Sequence, residues 1–212
     1  IRRLFQGRFG AIGRGYAYPG VPWRTFRQEQ MSYDMSDHWK VSLGIDEEAG
    51  PPFSLGGVRL TSENEEAWLE RGSCGLEDES DSESSDNDDR EECPHDISLS
   101  GVSVHYLQQP DGGSFVMTVD DGEPTVVDTS SDQQRLGVYE RDLDPGRHRV
   151  RIQPKGNGPV SLFGLHTSGE ADNGVQYSSL GLNGAKAAEF VSFDAELTEQ
   201  AIDALAPDLI VV

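Results

Sequence analysis

Between residues 97 and 166 apolar and polar positions alternate in short runs, and each run ends on a cluster of turn-forming residues. Val102, Val104 and Tyr106 fall on one face of such a run, and Val150 and Ile152 on one face of another. A period of two is the mark of a strand that buries one face. The punctuation is Pro110-Asp111-Gly112-Gly113, Asp120-Asp121-Gly122-Glu123, Asp144-Pro145-Gly146 and Lys155-Gly156-Asn157-Gly158, all chain-reversing sequences. Candidate strands are 38–43, 53–61, 66–70, 97–107, 114–119, 125–128, 134–140, 148–153 and 160–166. Many short strands at regular spacing make a β-sandwich or jelly roll. Gly57 reads as a bulge or close-approach glycine inside its strand.

The texture changes after residue 170. Here the pattern predicts a strand at 177–182, helices at 185–190 and 198–205, and a strand at 209–212, with Asp194 or Thr198 as a helix cap. Strand, helix and strand in that order form a parallel crossover. The β-branched run Leu209-Ile210-Val211-Val212 suits a buried parallel strand, which needs neighbours on both sides. At the other end, Leu4, Phe5 and Phe9 have helical spacing with Gly10 as cap, and 13–20 reads as a loop. The expectation is the middle of a larger protein, α/β plus all-β. A partial parallel-sheet layer, formed by 1–34 and 171–212, is interrupted by a β-sandwich or jelly-roll insert at 35–170.

The 212 residues suffice for one large domain or two modest ones. A hydrophobic fraction of 35% with 24 glycines and 11 prolines favours a turn-rich β fold. The net charge of −21 argues against nucleic acid and against anionic membrane surfaces as partners. The block from Glu77 to Glu92 carries about −9 of it, leaving about −12 elsewhere. Such a like-charge run reads as a solvated tether. It lacks the ordered register of a calcium loop, so no metal site is expected there. No apolar run is long enough to span a bilayer. Cys74 and Cys93 bracket the acidic block, and a disulfide between them would close the loop at its base and imply export. Free thiols are the alternative; a metal or redox pair lacks CxxC spacing and has only His95 nearby.

Leu180-Gly181-Leu182-Asn183-Gly184-Ala185, expected at a strand-to-helix corner, resembles block II of the SGNH (GDSL-type) hydrolases. The similarity is closest to polysaccharide and peptidoglycan O-acetylesterases with an inserted carbohydrate-binding-like sandwich. Gly13-Arg14-Gly15-Tyr16 through Pro22-Trp23-Arg24, Phe53-Ser54-Leu55-Gly56-Gly57-Val58 and Val160-Ser161-Leu162-Phe163-Gly164-Leu165 resemble other stretches of that subgroup. The resemblance implies a flavodoxin-like hydrolase layer and ester hydrolysis without a cofactor. It implies that Gly184 donates its backbone N–H to the oxyanion, because a glycine lets the backbone approach substrate. It places the serine before Ile1, and the asparagine, aspartate and histidine after Val212. The implied partner is an acetylated polysaccharide or peptidoglycan, and the implied location is secreted, periplasmic or in the cell envelope.

Other residues read as structural. His38, His95, His105, His148 and His166 lie in the β zone without a nucleophile elbow. Ser178 and Ser179 fall within an expected strand. Trp23, Trp39, Trp68, Tyr106 and Tyr139 suit either a sugar-stacking platform or core packing, and core is the expectation for the insert. Two other functions fit the pattern: a non-catalytic carbohydrate-binding sandwich, and an SGNH lipase or thioesterase.

Overall fold

The computed structural model describes residues 8, 13, 15–20, 31–46, 48–73, 98–170, 173–181, 185–191 and 193–211. Eleven strands are seen among them: β1 (Gly15–Ala17), β2 (Met31–Met35), β3 (Lys40–Leu43), β4 (Val58–Ser62), β5 (Leu69–Ser73), β6 (Leu99–Gln108), β7 (Ser114–Val119), β8 (Thr125–Asp128), β9 (Arg135–Gly146), β10 (Arg149–Pro154) and β11 (Val160–Gly169). Two helices follow, α1 (Ala187–Phe190) and α2 (Ala195–Leu205).

The strands form two antiparallel sheets. The first has the order β3-β4-β11-β6-β9, with β1 also paired to β11; the second runs β2-β5-β10-β7-β8. β4 and β1 share one edge of β11, β4 along Val160–Leu162 and β1 along Leu165–Thr167. The sheets close on one apolar core: Val102, Val104, Tyr106, Leu162 and Leu165 from the first, Leu69, Phe115, Met117 and Ile152 from the second. Burying such side chains contributes about 1.5–3 kcal/mol each. This is the expected sandwich.

α2 and the segment 173–181, the strap, bear on the first sheet from outside. Leu197 joins Leu107 and Phe163 in a second apolar cluster, with Leu136 at its margin. The backbone N–H of Leu136 donates to Gln200 Oε1 at 2.7 Å, and Ser54 Oγ donates to the Leu197 carbonyl at 3.0 Å. Asp194 caps α2 through a 2.9 Å bond from the Leu197 N–H. Ala206 ends the helix in the left-handed region at φ 42°.

Several expectations change. The parallel layer does not form among the described residues. Residues 177–181 are not a strand, and neither are 207–211; Leu209, Ile210 and Val211 are 78%, 56% and 85% exposed. β-branched residues favour a strand only when a neighbour completes the ladder. β1 lies in the expected loop, and β2 escapes notice altogether. Residues 53–57 are irregular, and Gly57 sits at φ 64° in a turn before β4 rather than inside a strand. α2 starts at Ala195 rather than Thr198. β9 continues through Asp144-Pro145-Gly146, so the reversal falls at Arg147 and His148. Of the expected helix at 4–9 only Arg8 is among the described residues, and it is helical.

Candidate functional site

Gly184 lies outside the described residues, which stop at Gly181 before it and resume at Ala185 after it. Leu180 before it and Ala185 after it pack, half-buried, against the inter-sheet core. α1 begins at Ala187. Phe190 of α1 meets Phe193 edge-on, with ring centroids 5.4 Å apart, and Phe193 meets Phe53 at 6.5 Å. The Asp194 N–H donates to the Phe53 carbonyl at 2.8 Å, and the Arg59 guanidinium lies 5.0 Å from the centre of the Phe53 ring. The chain just after α1 is thus tied to the turn preceding β4.

The strap leading to this corner crosses the outer face of the first sheet. Cross-strand register puts Tyr16 opposite His166, His166 opposite Ser103, and His105 opposite Gly164, so these side chains share one face. The Tyr16 ring lies over Gly164, where a Cβ would collide with it. Its edge meets the His105 ring at 5.0 Å and 77°. The Tyr16 N–H donates to Ser178 Oγ at 2.9 Å. Gln176 Nε2 donates to the Thr167 carbonyl at 2.9 Å, so its Oε1 faces His166 Nε2 at 2.8 Å. That orientation requires the His166 proton on Nε2.

Burial sets the electrostatics. His105 is pushed down to about 4, first by desolvation and then by the charge of His166; its Nδ1 has no hydrogen-bond partner. Desolvation raises the Tyr16 and Tyr18 hydroxyls above the usual tyrosine range. Arg71, 5% exposed, points between the sheets. Its Nε donates to the Pro19 carbonyl at 3.4 Å and its Nη2 to the Tyr18 carbonyl. Its guanidinium lies 4.9 Å from the centre of the Tyr33 ring, and among the described residues no carboxylate pairs with it. Burial lowers it to about 10, so it stays cationic at neutral pH.

A cleft of about 260 Å³ lies beside β2 and β3, lined by Tyr33, Asp34, Met35, Ser36, Asp37, Trp39 and Val41. Asp34 and Asp37 there offer acceptors to sugar hydroxyls, while the Trp39 ring is 6% exposed and belongs to the core.

The structure does not assemble the aromatic residues into a stacking platform. Trp39 and Tyr106 are in the core, and Tyr139 packs against it. Arg151 covers the Trp68 ring at 4.8 Å. Trp23, His95, Cys74 and Cys93 lie outside the described residues. His105 and His166 are strand residues, as expected, while His38 stands 4.0 Å from Glu66. His148 bonds Asp120 Oδ2 at 2.8 Å and the Asp144 carbonyl at 2.6 Å. No group of three or more metal-binding side chains occurs among the described residues, and none of their helices is long and apolar enough to cross a membrane. Sequence reasoning missed Arg71, Gln176 and the burial of His105; an arginine inside an alternating strand is the one signal that was present.

No family model and no curated protein matches the chain. Solved structures similar to it include a family two carbohydrate esterase from Cellvibrio japonicus, at 17% identity over 70% of this chain and 36% of that one, with TM-score 0.29. The Agl-KA catalytic domain is 10% identical over 90% of this chain and 36% of that one, with TM-score 0.40. CBM29_1, a family 29 carbohydrate-binding module from Piromyces equi, is 13% identical over 74% of this chain and 92% of that one, with TM-score 0.35. The chain therefore spans about a third of the length of the esterase structure.

Proposed function

We propose that the chain is the sandwich-bearing part of a serine esterase of the SGNH type, removing O-acetyl groups from a cell-wall or extracellular polysaccharide. One observation carries the reading. A two-sheet sandwich hands its last strand to a strap, and Leu180-Gly181-Leu182-Asn183-Gly184-Ala185 leads from the strap into α1 at Ala187. The resemblance expects an oxyanion glycine at a strand-to-helix corner; the helix that follows Gly184 is present, while residues 177–181 before it are not a strand. This reading assigns 1–34 and 171–212 to the hydrolase layer and 35–170 to the insert, although β1 and β2 of the first segment pair within the sandwich sheets. The bond between Tyr16 and Ser178 supports it, since it joins the first segment to the last.

The serine, outside residues 1–212, attacks the acetyl carbonyl, and a histidine held by an aspartate takes its proton. The carbonyl oxygen becomes an oxyanion facing the Gly184 N–H. The sugar hydroxyl leaves with the proton returned by the histidine, and water then releases acetate by the same route. Incubating the complete gene product with p-nitrophenyl acetate and acetylated xylan tests this. Acetate release blocked by a serine-directed organophosphate is expected, and its absence overturns the reading. Gly184→Val is expected to lower kcat about 100-fold with KM little changed. A preference for long acyl chains would favour a lipase or thioesterase instead.

The Cys74–Cys93 disulfide and an exported location belong to the same reading; peptide mapping without reductant tests the pairing. The cleft beside Tyr33 and Trp39 favours a second reading, a carbohydrate-binding sandwich without catalysis. Glycan binding by residues 1–212, from a parent that releases no acetate, would establish it.

A further inference from the structure

The strap is held to the first sheet at a face that is unusually poor in charge. Tyr16 comes from β1 and His166 from β11, while β6 places Ser103, His105 and Leu107. From β9, Leu136, Val138 and Glu140 stand opposite Leu107, His105 and Ser103, and Glu140 is exposed to solvent. The strap itself presents the neutral Gln176 and Ser178. α2 adds Leu197, Ala201 and Gln200. His105 is 1% exposed, and a proton added at its Nδ1 would find no acceptor. The resulting cation would sit beside His166 and behind the Tyr16 ring, far more costly there than in water.

The bonds that hold the strap are close at hand. Gln176 grips His166 and the Thr167 carbonyl, and Ser178 accepts from the backbone of Tyr16, the residue whose ring meets His105. An imidazolium can gain water only if something over this face moves away. The apolar contact of Leu197 with Leu107 and Phe163 secures α2, whereas the strap is held by these polar bonds and, at its end, by the packing of Leu180 against the core. We propose that this face is an acid-sensitive latch: protonation of His105 frees residues 173–181 from the first sheet. The two-state element is the strap, docked while the imidazole is neutral and released when it is charged. The latch does not depend on the esterase reading. Its consequence does: the strap ends three residues before Gly184, so release would loosen the proposed oxyanion corner and switch the esterase off in acid.

Hydrogen exchange on residues 1–212, corrected for the pH dependence of the chemical exchange rate, tests the latch. Protection of amides 174–180 is expected to fall about tenfold between pH 7 and pH 4.5, while amides of β6 and β10 keep theirs. In His105→Gln the strap is expected to hold equal protection at both pH values. Gln176→Ala, at a half-buried position outside the core, is expected to bring the strap at pH 7 down to the acid level of the parent. Three results would overturn the latch: an unchanged acid response in His105→Gln, full protection at pH 7 in Gln176→Ala, or loss of β6 and β10 protection together with the strap. Acetate release is not read in any arm, so failure of the esterase proposal leaves this test intact.

Discussion

The two sheets are built from similar strands and differ in what covers their backs. The first lies between the second sheet and a cover of strap and α2. Its central strands are buried almost end to end: β6 is sheltered at every position from Gly101 to Leu107, and β11 from Val160 to Leu165. The second sheet shows solvent its outer face, and β10 and β7 alternate between buried and partly exposed positions. On that outer face Glu70 pairs with Arg149 at 3.2 Å and with Arg151 at 3.4 Å. Burial on both faces demands that each polar group find a partner or remain neutral. Burial on one face tolerates charge. The central strands of the first sheet accordingly carry histidines and serines outward, as in the 2.9 Å bond between Ser161 and Thr61 of the neighbouring β4, while the second carries arginines and glutamates.

The contrast should break most sharply at Phe163, buried under α2 beside Leu107 and Leu197. Phe163→Ala is expected to cost about 3–5 kcal/mol. Val126→Ala, at a 54% exposed position of the second sheet, should cost less than about 0.5 kcal/mol. Urea denaturation of both variants gives the comparison, and equal losses would erase the distinction between the sheets.

Acid should weaken the first sheet selectively. His105 titrates below a free imidazole in the native state, so the unfolded chain takes up the proton first. Its contribution is complete above about pH 6.5, declines as pH falls, and levels off near pH 4, a loss of roughly 3 kcal/mol. Denaturation midpoints of the parent and His105→Gln between pH 7 and 4 measure it; parallel curves would remove His105 as the cause.

Asp194→Ala removes the cap of α2 and is expected to cost about 1 kcal/mol. Exchange protection of α2 should fall more than that of β10, which sharpens the view that the cover is the weaker layer. The smallest effect belongs to Arg151→Ala, with partly exposed partners in Glu70 and Trp68: less than about 1 kcal/mol, shrinking with added salt. A larger loss in thermal melts would show that the outer face of the second sheet is structurally coupled to the core.

Period two was enough to place the ends of β7 and β8 and the existence of β3 to β6 and β9 to β11, because a strand with one wet face writes its own pattern. It failed at β1, where three residues among glycines become a strand only because β11 offers an edge. It failed at 177–181, where Ser178 accepts from the Tyr16 N–H instead of lying in a ladder. Part of the candidate site was readable: the Asp194 cap and a helix following Gly184 both followed from local rules. Trp39 and Tyr106 are in the core as expected, whereas Trp68 lies under Arg151 instead, and nothing local announced that Tyr33 and Trp39 would line a cleft.

Local chemistry settled the sandwich, its turns and the capped helix, since alternation, turn residues and caps act over a few neighbouring positions. Three things rested with the tertiary structure: which sheet is covered twice, that His105 is sealed beneath a strap, and that Arg71 is enclosed beside Tyr33. Each joins segments far apart in the chain, and desolvation is a property of what gathers around a side chain, not of the residues adjoining it in sequence.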